Sequence, residues 1–402
     1  MQSWFRIPFI FFFIAACIGL LLRWHFVSPM DWLQFPYWLH AHSHIMFLGW
    51  IFNTLFLAYV SNYSLSKRRY GTLFIIIQVL LGGMLISFPL QGYGVVSIIL
   101  SFSHTVLVGV FCWWIFRDFR KIEKSTSIWF AKMSLILFLL SALGPFTLGP
   151  LVANGLGQTK WYYFSIYYYL HFQYNGVFIF GVLSLFFHFL EERKVQFNVS
   201  TARKSGLLLM IAIFPTYFLS TLWAKPGFVF NIIGCMGAFI QLLSLYYFIK
   251  IISVVKFSKM HRATKTLVML AFLAFILKSV LQLISAHPQI AKLAFEVRPF
   301  TIAYLHLVMI GVVTLFLLAW CVEKKVVVLK FSFPVTLIII GFLGSELTMI
   351  LGSIPFTSTL FVIQSSVLLF TFSLLLTVGI GFFLYYLLLP SDARRAIDQA
   401  MR

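Results

Sequence analysis

The sequence predicts an all-α, polytopic membrane protein: a twelve-helix transmembrane bundle. Three observations predict the membrane part. Of 402 residues, 61% are hydrophobic and 10% charged, with a mean hydropathy of +0.97, whereas a soluble chain is nearer half apolar and a quarter charged. Twelve apolar runs approach or exceed the roughly 20 residues a helix needs to cross a bilayer. Of the 30 Lys and Arg side chains, 23 fall on the termini and alternate connections. Soluble, disordered and fibrous classes are excluded.

The runs are residues 7–23, 40–60, 71–89, 94–116, 127–148, 162–190, 206–223, 228–249, 266–285, 300–321, 333–352 and 359–388. In the first, Ile14-Ala15-Ala16-Cys17 resembles a lipoprotein cleavage box, but the apolar run continues through Leu22 to Arg23, so a retained first helix is expected. The second opens on His40-Ala-His42-Ser-His44. The third is plain and follows Lys67, Arg68 and Arg69, and the fourth carries His104. The fifth carries Lys132, near enough to its end to snorkel, and Pro145.

The sixth run begins with an aromatic belt, Trp161 to Tyr169, and carries His171, Tyr174 and Asn175. The seventh has Pro215 and no histidine, the eighth Gln241, and the ninth Lys278. Arg298 precedes the tenth, which holds Tyr304 and His306; the eleventh holds Glu346 and the twelfth Gln364. Lys278 and Glu346 are costly at membrane depth and are expected to pair or to serve a propionate and a proton path. Cys17, Cys112, Cys235 and Cys321 lie singly in apolar runs, without the paired spacing of zinc or iron-sulfur sites. Asn62 and Asn198 open glycosylation-like triplets, discounted because of the side they fall on.

If each run crosses once, 23 of the 30 basic side chains lie on the side of the N terminus. Arg23, Lys160, Lys225, Lys292 and Arg298 lie opposite, and Lys132 and Lys278 lie within spans. The positive-inside rule then puts both termini in the cytoplasm of a cell membrane. The net charge of +20 thus sets orientation and gives no reason to invoke nucleic acid. No connection is long enough for a soluble domain, so residues 1–390 read as one transmembrane domain and 391–402 as a short cytoplasmic tail.

Four even-numbered runs carry a histidine followed five residues later by glycine: His44 and Gly49, His104 and Gly109, His171 and Gly176, His306 and Gly311. Their spacing gives a period of two helices. An imidazole in lipid needs a partner, and several at one depth suit a metal or haem. Hydrogen bonding between helices, with glycine allowing close approach, is the alternative. His44 and His306 form the best axial pair for a haem, with His40 at the edge of its span as a metal, propionate or water-facing group. Arg298, Lys278, Arg23 and His287 are candidates for the propionates. His104 and His171, with Tyr174, are candidates for a second metal.

Twelve helices with histidines in the second, sixth and tenth resemble the catalytic subunit of haem-copper oxidases and nitric oxide reductases, a resemblance that implies a twelve-helix bundle with a pseudo-threefold repeat of four helices each. The resemblance implies that His44 and His306 hold a low-spin haem b and that His171 serves a copper or iron centre. The stretch from Trp38 to Gly49, with His44, Met46 and Gly49, also resembles the NnrS family of twelve-helix haem proteins linked to nitric oxide stress. Two departures stand out. Tyr304 replaces the first histidine of the usual pair in the tenth helix, and the seventh run, Leu207 to Trp223, contains no histidine ligand. The resemblance implies electron transfer, respiration or nitric oxide response with an electron donor or respiratory subunit as partner, and leaves catalysis open. A proton-coupled secondary transporter using the intramembrane His, Glu and Lys residues is the alternative, and an assembly partner of a respiratory complex a third reading.

Overall fold

The computed structural model describes residues 2–255, 260–329, 332–354, 359–390 and 392. The proposed tail, 391–402, lies outside the described residues except for Asp392, as do Lys256, Lys259 and Lys330. The described residues contain helices and no strand. Twelve helices are long and apolar enough to cross a membrane. They are α1 (Ser3–Trp24), α2 (Phe35–Asn62), α3 (Lys67–Gln91), α4 (Val95–Phe119), α5 (Thr126–Ala153) and α6 (Lys160–Glu192). The rest are α7 (Val199–Ala224), α8 (Phe228–Ile252), α9 (Arg262–Ile284), α10 (Arg298–Glu323), α11 (Phe333–Leu351) and α12 (Gln364–Leu388).

Each apolar run becomes one helix because hydrocarbon offers no hydrogen bonds, so a crossing segment must satisfy its backbone internally. Several helices start earlier than hydropathy suggests, since polar residues extend them and a side chain caps the new end. Ser66 Oγ accepts from Arg69 N–H, Ser125 Oγ from Ile128 N–H and Asn198 Oδ1 from Thr201 N–H. One helix escapes the hydropathy reading: Pro288–Glu296, between α9 and α10, which starts with proline at its first position.

The contacts divide the chain into two compact units. The first comprises Met1–Phe111, Met260–Val268 and Thr314–Arg402. In it α1 packs on α2 and α12, α3 on α2, and α11 on α12. Glycine sets two of these approaches. A Cβ at Gly341 would stand 2.5 Å from the Leu376 backbone nitrogen and 2.6 Å from the Phe372 carbonyl oxygen, so α11 and α12 touch backbone to backbone. A Cβ at Gly19 of α1 would stand 2.9 Å from the His42 ring.

The second unit comprises Cys112–Lys259 and Met269–Val313. Here α5 packs on α6, α7 on α8, and the Pro288–Glu296 helix against the end of α7. Hydroxyl-to-carbonyl bonds tie these pairs: Ser134 to Val177 at 2.7 Å, Ser184 to Ser127 at 2.9 Å, and the reciprocal Ser205 and Ser244 bonds at 2.9 and 2.7 Å. Without a hydrophobic drive between helices in lipid, such bonds and small residues supply the adhesion.

In α2, α6 and α10 the most apolar stretch is 83%, 94% and 72% buried, against 50% or less in the other nine spans. The same three helices widen into π-helix over Ile45–Phe52, Phe172–Val177 and Leu307–Thr314. Each widening begins at the residue after His44, His171 or His306. A π-turn pairs a carbonyl with the N–H five residues on, which is the histidine-to-glycine spacing. The fourth repeat position differs: His104 lies in the regular helix α4, and a Cβ at Gly109 would meet nothing within 4 Å.

Candidate functional site

Within the first unit, α2 presents its three histidines in two directions, as the helical spacing requires. His42 faces α1, where its Nδ1 donates to the Ala15 carbonyl at 2.8 Å. His40 and His44 share the other face. His44 Nδ1 donates to the His40 carbonyl at 2.9 Å. A carbonyl only accepts, so this bond fixes the proton on Nδ1 and leaves Nε2 with its lone pair. The Tyr93 hydroxyl lies 3.4 Å from that Nε2.

The surroundings are aromatic. Phe88 of α3 stands 4.3 Å from the His44 ring and Tyr93 4.5 Å from the His40 ring, centroid to centroid. Tyr93 follows Gly92, whose φ of +57° is one that side chains rarely adopt and which turns the chain out of α3 beneath Tyr37. His104 of α4 is 1% exposed, its ring centroid 6.0 Å from that of Phe52, and among the described residues its Nε2 has no hydrogen-bond partner. It is close enough to His44 for their charges to interact.

Inside this unit the π segment of α2 is bonded to Thr314 of α10. Trp50 Nε1 donates to Thr314 Oγ1 at 3.1 Å, and both residues are fully buried. Phe12 of α1 stacks on the indole at 4.4 Å. One turn deeper, Asn53 and Gln78 exchange amide hydrogen bonds at 2.8 and 3.3 Å. Arg23 donates to Met349 Sδ at 3.0 Å and faces the charge of Glu346, one turn earlier on α11. Arg23 is therefore a structural cation joining α1 to α11, and it supplies a positive charge near Glu346.

The second unit holds a separate polar group. His171 Nε2 donates to the Ile213 carbonyl at 2.9 Å, while its Nδ1 accepts from Asn175 Nδ2 at 3.1 Å. Both ring nitrogens are thus occupied. Ile213 lies where Pro215, which lacks an N–H, sits in α7 and the helix tightens to the 3-10 segment Tyr217–Ala224. Lys278, 1% exposed, donates to Gln241 Oε1 at 3.4 Å and is near enough to His171 for their charges to interact. The rings of Tyr174 and Tyr304 are 6.2 Å apart. Arg298 is exposed at the start of α10, and His306 is the half-buried last residue before that helix widens.

Of the residues singled out in the sequence, the first unit brings together His40, His44 and His104, and the second brings together His171, Asn175 and Lys278. Tyr93 was not signalled, although the Gly-Tyr-Gly stretch after α3 marks a turn that could carry it. Gln241 had only a weak signal from its register in α8. Among the described residues, no group of three or more His, Cys, Asp or Glu side chains has the geometry of a metal site. No family model matches the chain, and no curated protein matches it.

Proposed function

We propose that this chain is a haem-binding protein of a cell membrane, with both termini cytoplasmic, in which His44 is a ligand to a low-spin haem b. One observation carries the reading: the His44 Nδ1–H bond to the His40 carbonyl. A ligating histidine donates its second ring nitrogen to a carbonyl or carboxylate, which fixes tautomer and ring plane. His44 has that arrangement, and the nitrogen left over faces only a weak 3.4 Å contact with the Tyr93 hydroxyl. Haem b, when bound, supplies a one-electron iron couple. The protein's part is to hold the imidazole, keep its proton on Nδ1 and enclose it with Phe88, His40 and Tyr93.

His306 is proposed as the second axial ligand because it holds the corresponding place in α10, at the start of a π segment. Haem-copper-like organisation as three sets of four helices is proposed on the same ground: the buried, widened helices recur every fourth span. Arg298 and Lys278 are the proposed propionate partners. A second metal, copper or iron, has weaker support, since both nitrogens of His171 are engaged, and His104 with its unpartnered Nε2 is the better candidate ligand. Electron transfer, respiration or nitric oxide response follows as the functional class, with an electron donor as partner. A pyridine haemochrome assay with iron and copper analysis on detergent-purified protein tests this: about one haem per chain supports it, and haem-free, iron-free protein overturns it.

A proton-coupled transporter is favoured by a different observation, the buried Lys278, whose side chain among the described residues is held by Gln241 alone, beside His171. An intramembrane lysine with one long hydrogen bond is a group that ion-coupled carriers use. Proton-coupled uptake by haem-free protein in liposomes, abolished in Lys278→Met, decides for that reading.

A further inference from the structure

Within the second unit, an opening of about 530 Å³ lies where α4 ends and α5 begins. Its wall on α4 is Trp113, Phe116, Arg117 and Arg120, a single helical stripe, and its wall on α5 is Lys132, Met133 and Ile136. Three cations and four apolar side chains line it, and no acid does. Arg117 lies over the Trp113 ring at 5.1 Å. Among the described residues neither the Arg120 nor the Lys132 side chain has a hydrogen-bond or ion-pair partner. Lys132 is the unusual member. It sits six residues inside α5, about 9 Å along the axis, where an ammonium is expensive unless it reaches water or meets an anion.

We propose that this opening binds an anionic phospholipid, with the headgroup phosphate on Arg117, Arg120 and Lys132 and an acyl chain along Trp113, Phe116, Met133 and Ile136. Arginine forks suit phosphate oxygens, and lysine adds a point charge from below. A free anion would have no use for the apolar wall, and a neutral lipid none for three cations with no acid among them. A phospholipid of negative charge matches both halves. The α4–α5 connection is also on the Lys- and Arg-rich side of the chain, and basic pockets between helices on that side are where anionic headgroups bind. The inference depends on the chain spanning a membrane and is independent of haem.

The test is native mass spectrometry of the delipidated, full-length protein titrated with phosphatidylglycerol or phosphatidylcholine of identical acyl chains. Wild type is expected to retain phosphatidylglycerol at about tenfold lower concentration, the order expected when several cations meet one anionic headgroup. The triple variant Arg117→Gln, Arg120→Gln, Lys132→Met is expected to lose the preference. Ile136→Trp keeps every charge but fills the apolar wall, and is expected to weaken retention as well. A same-side control, Lys67→Gln with Arg68→Gln and Arg69→Gln, should keep the preference. Equal retention of the two lipids by wild type, equal loss in the control, or an unaffected Ile136→Trp each overturns the proposal. If the triple variant unfolds, Ile136→Trp and the control still decide.

Discussion

Replacing Thr314 with valine removes one hydroxyl and almost no volume, and it should loosen the hold between α2 and the part of α10 that begins at Thr314. The Trp50 indole N–H has Thr314 Oγ1 as its acceptor at 3.1 Å, and both groups are sealed from solvent. In Thr314→Val that N–H faces a methyl group. A buried donor left without a partner costs about 1–3 kcal/mol, while side-chain hydrogen bonds within membranes average about 0.6 and reach about 1.7 kcal/mol. The expected loss is therefore about 1–2 kcal/mol. Trp50→Phe should cost more, about 3 kcal/mol, because it also removes ring volume packed on Phe12. In the double variant the bond can be lost only once, so the cycle should show a coupling of about 0.6–1.7 kcal/mol. The buried thiols of Cys112 and Cys321 report unfolding through their labelling rates in a denaturing-detergent titration. A neutral Thr314→Val, or a coupling indistinguishable from zero, refutes the claim that this bond joins the two segments.

Gly341→Ala should cost about 1–3 kcal/mol in the same titration, because its Cβ would meet the α12 backbone at 2.5 Å, whereas Gly109→Ala, with open space around it, should be neutral. His104→Leu should leave the metal-free protein within about 1 kcal/mol of wild type or more stable, since it deletes a buried nitrogen that bonds to nothing. A loss well beyond that would mean the imidazole has a structural partner.

How far the sequence reached depends on what physics each feature rests on. Twelve helices at the expected places follow from hydropathy alone, because in lipid an apolar run has one satisfactory backbone conformation. Their ends shifted where Ser66, Ser125 and Asn198 cap polar extensions. The amphipathic Pro288–Glu296 helix was missed because it is too short and too polar to register as a span. The opposed faces of His42 and His44 followed from a 100° step, and the structure has them so. The split of the repeated histidine into two kinds did not. His44, His104 and His171 have the same local pattern, yet His171 is filled by Ile213 and Asn175 while His104 Nε2 is unpartnered. That difference comes from the neighbouring helix: Pro215 distorts α7 beside His171, and no residue near His104 in sequence reveals what it faces. Within the first unit, a cation whose charge reaches Glu346 is Arg23, remote in sequence and unremarkable as an interfacial arginine.

The central claim is that His44 ligates haem iron, and a reduced-minus-oxidised absorption spectrum of the purified protein beside its His44→Ala variant tests it most directly. The account predicts sharp low-spin haem b bands in wild type and their loss in His44→Ala, with His306→Ala behaving alike and His42→Ala, whose ring is bound to Ala15, keeping the bands. Low-spin bands that persist in His44→Ala would contradict it.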